Sequence, residues 1–118
     1  MRVHIVSCVY PPEIVTSAVT TCDIAEEMAL RGHEVTVFAP FPNRPTGHLA
    51  SGYKRAFRQA ESRSQYKIIH SWHTLSKRST LLSRTIENIS YGLSSTMQLL
   101  REPVADVAFV LTWPIFAQ

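Results

Sequence analysis

The hydrophobic pattern of the chain changes period repeatedly, and each change marks an element. Residues 2 to 9 (Arg-Val-His-Ile-Val-Ser-Cys-Val) form the β-branched, mostly apolar run of a buried parallel strand. Tyr10-Pro11-Pro12-Glu13 ends it, because prolines bring no N–H to a ladder. From Thr16 or Ser17, the expected N-cap, the period lengthens. Ala18, Thr21, Cys22, Ala25, Met28 and Ala29 then fall on one side at helical spacing, and Thr20, Asp23, Glu27 and Arg31 on the other. A stripe of small residues lets such a helix lie close to a sheet. Arg31 suits the negative end of the helix dipole, and Gly32 suits a left-handed C′ position. His33 to Ala39 reads as a second strand, and strand, helix and strand together make a right-handed βαβ unit.

Pro40, Pro42, Asn43, Pro45, Gly47 and Gly52 mark a long irregular loop, which in a compact domain is more often functional than not. Tyr66 to His73 is a plausible third strand whose polar content puts it near an edge. Leu82, Ile86, Ile89, Leu93, Met97 and Leu100 make one continuous apolar face on a long helix, with Ser79 as its cap and Pro103 as its stop. Asp106 to Thr112 is a fourth, apolar strand. The expected fold is α/β: a doubly wound, Rossmann-like parallel sheet with helices on both faces. The chain stops at Gln118, where a further helix is expected over the last strand. Residues 1–118 therefore read as one incomplete domain, because a bare apolar strand leaves one sheet face uncovered.

Composition narrows the class. The chain has 118 residues, enough for one domain and not two, and no apolar run approaches the ~20 residues of a membrane helix. The first apolar run lacks the features of a signal peptide, so a cytoplasmic chain is expected. Cys8 and Cys22 read as small buried apolar residues rather than a disulfide framework. The net charge of +3 hides an asymmetry: between Arg44 and Arg84 nine basic residues face one acid, Glu61. Lys54, Arg55, Arg58, Arg63, Lys67, Lys77, Arg78 and Arg84 form a candidate patch for an anionic ligand or an anionic membrane surface. A solvated basic loop without a ligand accounts for the same charge. No nucleic-acid partner is expected.

Open parallel sheets bind ligands beyond the carboxyl ends of their strands. That rule selects the loop from Tyr10 to Ser17, the loop from Phe41 to Tyr53, and Trp113-Pro114. The first loop has no G-x-G-x-x-G, so a classical dinucleotide site is not expected. Thr16 and Ser17 at a helix start suit an anionic group, although the same residues also serve as plain caps. His70 and His73, three apart on a strand, point to opposite faces and are not read as metal ligands. Trp72 and Trp113 suit either a sugar face or the core. The sequence names no catalytic residue.

Tyr10-Pro11-Pro12-Glu13 after a first strand, then a helix ending in Ala29-Leu30-Arg31-Gly32-His33-Glu34-Val35-Thr36-Val37, resembles the start of the retaining GT-B glycosyltransferases of family 4. Phe41-Pro42-Asn43-Arg44-Pro45-Thr46-Gly47 followed by Gly52-Tyr53-Lys54 is similar to the WbuB-like subgroup. The likeness runs through the basic segment and the long helix to Trp113-Pro114. It implies the amino-terminal, acceptor-receiving domain of a two-domain enzyme in cell-envelope polysaccharide synthesis. Such an enzyme transfers a sugar from a nucleotide donor, held mainly by the missing carboxy-terminal domain, to a saccharide or lipid-diphosphate-linked acceptor. The implied substrate-binding residues are Glu13, Thr16, Ser17, Asn43, Gly47, Tyr53 and Trp113, with no cofactor and no metal. The enzyme would work at the inner face of the membrane as a peripheral protein, and this piece alone would be inactive. The alternative is a non-catalytic α/β module that binds an anionic ligand or pairs with a separate catalytic subunit.

Overall fold

A computed structural model describes residues 1–43, 46–63, 65–78 and 80–111. Its elements are β1 (Arg2–Ser7), α1 (Thr16–Leu30), β2 (Glu34–Pro40), β3 (Arg58–Arg63), β4 (Tyr66–Ser71), α2 (Leu81–Leu99) and β5 (Val107–Leu111). The class is α/β. One five-stranded sheet has the order β3-β4-β2-β1-β5, parallel throughout except where β3 runs antiparallel to β4.

β1 stops at Ser7 rather than Val9, because Ser7 Oγ donates to the Val9 carbonyl at 2.6 Å, a local bond that replaces the ladder. Helix α1 starts one or two residues earlier than expected. Val15 holds the N-cap position and supplies no side-chain bond, while Thr16 and Ser17 are already helical. The small-residue stripe is buried as expected: Ala18, Thr21, Ala25 and Ala29 face the sheet, with Cys22 and Met28 packed beside them. Gly32, at φ 86°, donates to the Ala29 carbonyl and His33 donates to the Met28 carbonyl, which closes the helix in a Schellman turn. His33 therefore belongs to the helix terminator, and β2 begins at Glu34. Cys8 and Cys22 form no disulfide.

Val3, Ile5, Val35, Val37, Ala39, Tyr66 and Ile68 make one core with Ala25 and Ala29 of α1. The pleat sends the buried side chains of His4, Phe38 and Ile69 the other way, and α2 packs against β2 and β4. β4 is an inner strand, not an edge. The edge beyond it is β3, Arg-Gln-Ala-Glu-Ser-Arg, which has no apolar alternation to announce it and exists through its antiparallel pairing with β4. β5 begins at Val107, after Asp106 N–H has donated to the Arg2 carbonyl, and Thr112 lies outside the described residues. Val107, Phe109 and Val110 are exposed along it.

Helix α2 differs most from expectation. Its cap is Thr80, in a capping box with Ser83; Ser79 lies outside the described residues. Leu82, Ile86, Ile89, Leu93, Met97 and Leu100 face outward, and Glu87, Tyr91, Ser94, Ser95 and Gln98 face the sheet. The reason is hydrogen bonding. The Tyr91 hydroxyl lies 2.8 Å from the Ser7 carbonyl and 3.0 Å from that of Phe38, Ser94 Oγ donates to the Trp72 carbonyl, and Thr74 N–H donates to Ser90 Oγ. Burial pushes the Tyr91 hydroxyl well above the usual tyrosine range, and nearby Cys8 adds to it, so the group stays a donor.

Gln98 is 0 % exposed, and among the described residues neither atom of its amide has a hydrogen-bond partner. Leaving a buried amide unsatisfied costs about 1–3 kcal/mol. Gln98→Met should therefore raise the urea midpoint, with a gain of about 1 kcal/mol or more. A lower midpoint would mean that the amide does stabilise the fold.

Candidate functional site

The parallel strands β1, β2, β4 and β5 all end on one side of the sheet, and the segments after β1, β2 and β4 are hydrogen-bonded to one another there. Between the loop after β1 and the end of β5 lies an open depression of about 690 Å³, lined by Ile14, Val15, Thr16, Ser17, Thr20 and Leu111. β1 is the strand at which the order turns, with β2 on one side and β5 on the other, so the depression sits where open sheets place ligands. Thr16 and Ser17, selected from the sequence, line it.

Beside it is a buried polar network. Asn43 N–H donates to Glu13 Oε1 at 3.0 Å, and Asn43 Nδ2 donates to Glu87 Oε1 at 3.0 Å. Glu13 and Glu87 are only 5 % and 8 % exposed. The His73 ring lies 2.9 Å from the Phe41 carbonyl and 2.8 Å from the Thr74 carbonyl. The Phe-Pro-Asn loop is thus fastened by the loop after β1, by α2 and by the segment after β4. Cys8, Pro40, Asn88 and Tyr91 complete the small cleft around Asn43, His73 and Glu87.

Other sequence-selected residues sit elsewhere. Gly47 has φ 73°, and a Cβ there would stand 2.6 Å from the Ser76 carbonyl oxygen; it holds two loops at closest approach. Tyr53 packs edge-on against Phe41 and His70 and donates to Glu61 Oε2 at 3.4 Å. Burial, then the Glu61 charge, raises its hydroxyl above the usual range. Trp113 lies outside the described residues. Sequence reasoning missed Glu87 and the anchoring role of His73. The available signal for Glu87 was its position as the one acid of α2, opposite the apolar stripe.

The basic segment is divided by the sheet. Arg63 lies over the Tyr10 ring at 5.9 Å and within 3.7 Å of Glu61. On the other face Arg58 and Lys67 both meet Glu102, at 2.9 and 3.0 Å. Lys54, Arg55, Lys77 and Arg78 are exposed, and Arg84 is half-buried. Arg55, Ala56, Phe57 and Trp72 line a second open hollow of about 440 Å³. Among the described residues no three His, Cys, Asp or Glu side chains stand where they would share a metal ion. No helix of these residues is long and apolar enough to cross a membrane.

Comparison of the chain with family models, with curated proteins and with solved structures finds no match.

Gly47→Ala is expected to lower stability by about 1–3 kcal/mol, measured by urea unfolding, because the added Cβ meets backbone in a left-handed conformation. An unchanged midpoint would show that the two loops separate freely. At Glu102 burial raises the carboxyl pKa, but the Lys67 bond and the Lys67 and Arg58 charges outweigh it, and the result lies below the usual value of 4.5. Stability from this cluster is therefore full above the unfolded value and fades as pH falls through the lower folded one. Glu102→Gln should cost less than about 1 kcal/mol at neutral pH, since both partners are partly exposed, and nothing in strong acid. A loss that persists at low pH would contradict this.

Proposed function

We propose that the chain is the acceptor-receiving amino-terminal domain of a retaining GT-B glycosyltransferase of family 4, acting in cell-envelope polysaccharide synthesis. Its sheet is then a doubly wound, Rossmann-like layer with α1 and α2 on opposite faces, and a second domain outside these residues holds the nucleotide-sugar donor. The observation that carries the proposal is the bond from Asn43 N–H to Glu13 Oε1 at 3.0 Å. It joins the two loops on which the family resemblance rests, the Pro-Pro-Glu turn and the Phe-Pro-Asn loop, at the carboxyl ends of the strands.

The neighbouring depression supplies what such an acceptor needs. Thr16 and Ser17 offer hydroxyls, and the first turn of α1 begins at a cap residue with no side-chain acceptor, so its positive end faces the opening. That chemistry fits a diphosphate-linked saccharide. Glu13, Asn43 and Glu87 hold the surrounding loops rigid and so fix the position of the acceptor hydroxyl. Lys54, Arg55, Lys77 and Arg78 would keep the domain at an anionic membrane surface as a peripheral protein. No cofactor is called for, since the donor is itself a substrate.

Titration of the isotope-labelled chain with a soluble diphosphate-linked saccharide is expected to move amide resonances at residues 13–20 and 41–43. Replacing Thr16 and Ser17 together by Ala should weaken binding by about tenfold. Shifts elsewhere, or none, would overturn the proposal, as would sugar-nucleotide turnover by the chain alone. Equal binding of inorganic diphosphate would favour a non-catalytic anion-binding module instead.

A further inference from the structure

Helix α2 shows solvent the side that a helix ordinarily hides. Leu82, Ile86, Ile89, Leu93, Met97 and Leu100 are between 47 and 82 % exposed. At 100° per residue these six fall within about 80° of arc, the width of a coiled-coil seam and narrower than the stripe a helix lays on a core. Within α2 the borders of the seam are uncharged, Thr85, Asn88, Gly92 and Thr96 on one side and Ser83 and Ser90 on the other, and Arg101, just past the helix end, is the one charge beside it. The charged residues of α2, Arg84 and Glu87, belong to the opposite half. Helices that lie on bilayers border their apolar side with rows of Lys and Arg, and this one has only Arg101 at its end. At Gly92 a Cβ would have nothing within 4 Å, so a neighbouring helix can approach closely.

We infer that this seam is covered by α2 of a second copy of the chain, packed antiparallel about a twofold axis near the middle of the helix. A twofold contact requires a surface that is its own complement. The seam meets that requirement: reversed, it sets Leu82 against Leu100, Ile86 against Met97, and Ile89 against Leu93. Antiparallel packing also sets each helix dipole against the opposite end of its partner. Six large side chains of this exposure remove on the order of 1,000 Å² from water over two copies, the lower limit of a specific interface. This dimer does not depend on the glycosyltransferase proposal.

Sedimentation equilibrium of the 118-residue chain is expected to show a monomer–dimer equilibrium. Ile89→Glu and Leu93→Lys, both at exposed positions, should each weaken association by more than about tenfold while leaving the circular dichroism spectrum unchanged and, at concentrations where every form is monomeric, the urea midpoint as well. An equimolar mixture of the two variants should associate again, because the new charges, opposite in sign, face each other across the axis. A chain that is monomeric at its highest soluble concentration would overturn the inference, as would a dimer that survives both substitutions. If the chain is monomeric in solution but loses binding to phosphatidylglycerol vesicles on Ile89→Glu, the seam belongs to a bilayer instead.

Discussion

Two buried carboxylates that meet on one asparagine constrain the whole carboxyl end of the sheet. A carboxylate out of water is tolerable only when hydrogen-bonded. Glu13 takes its bond from the main chain of Asn43, and Glu87 takes one from the side chain of the same residue. The loop after β1, the loop after β2 and helix α2 therefore cannot shift independently. The depression lined by Thr16 and Ser17 begins one residue beyond Glu13, on the same loop.

The same economy of hydrogen bonds explains the orientation of α2. Helix α2 brings hydroxyls to three main-chain carbonyls of the strands and their ends, Tyr91 to those of Ser7 and Phe38 and Ser94 to that of Trp72. A helix can turn only one side inward. Satisfying those acceptors puts the serines and the tyrosine against the sheet and leaves the leucines and isoleucines outside. The Gln98 amide, without a partner among the described residues, is the local cost of that choice.

The legible parts of the fold were those in which a period and a partner coincide. Small residues at helical spacing and Gly32 after Arg31 place α1 and its end, and the β-branched runs place β1, β2 and β5. β3 was illegible because its residues carry no apolar signal and are ordered by hydrogen bonds to β4, a nonlocal cause. The apolar series of α2 was read correctly as a face, but a period says nothing about which way that face turns. Of the candidate site, Glu13, Thr16, Ser17 and Asn43 lie together at the strand ends, whereas Gly47 and Tyr53 serve loop packing. Glu87 escaped because its partner is 44 residues away.

The two edges of the sheet have opposite character. β3 closes one side with Arg58, Glu61 and Arg63 on a short antiparallel strand, the kind of charged border that repels a further strand. β5 borders the other side with Val107, Phe109 and Val110 in the open. The sheet thus has a direction of growth: one edge is sealed by charge, and only beyond β5 can another strand extend it without burying ions.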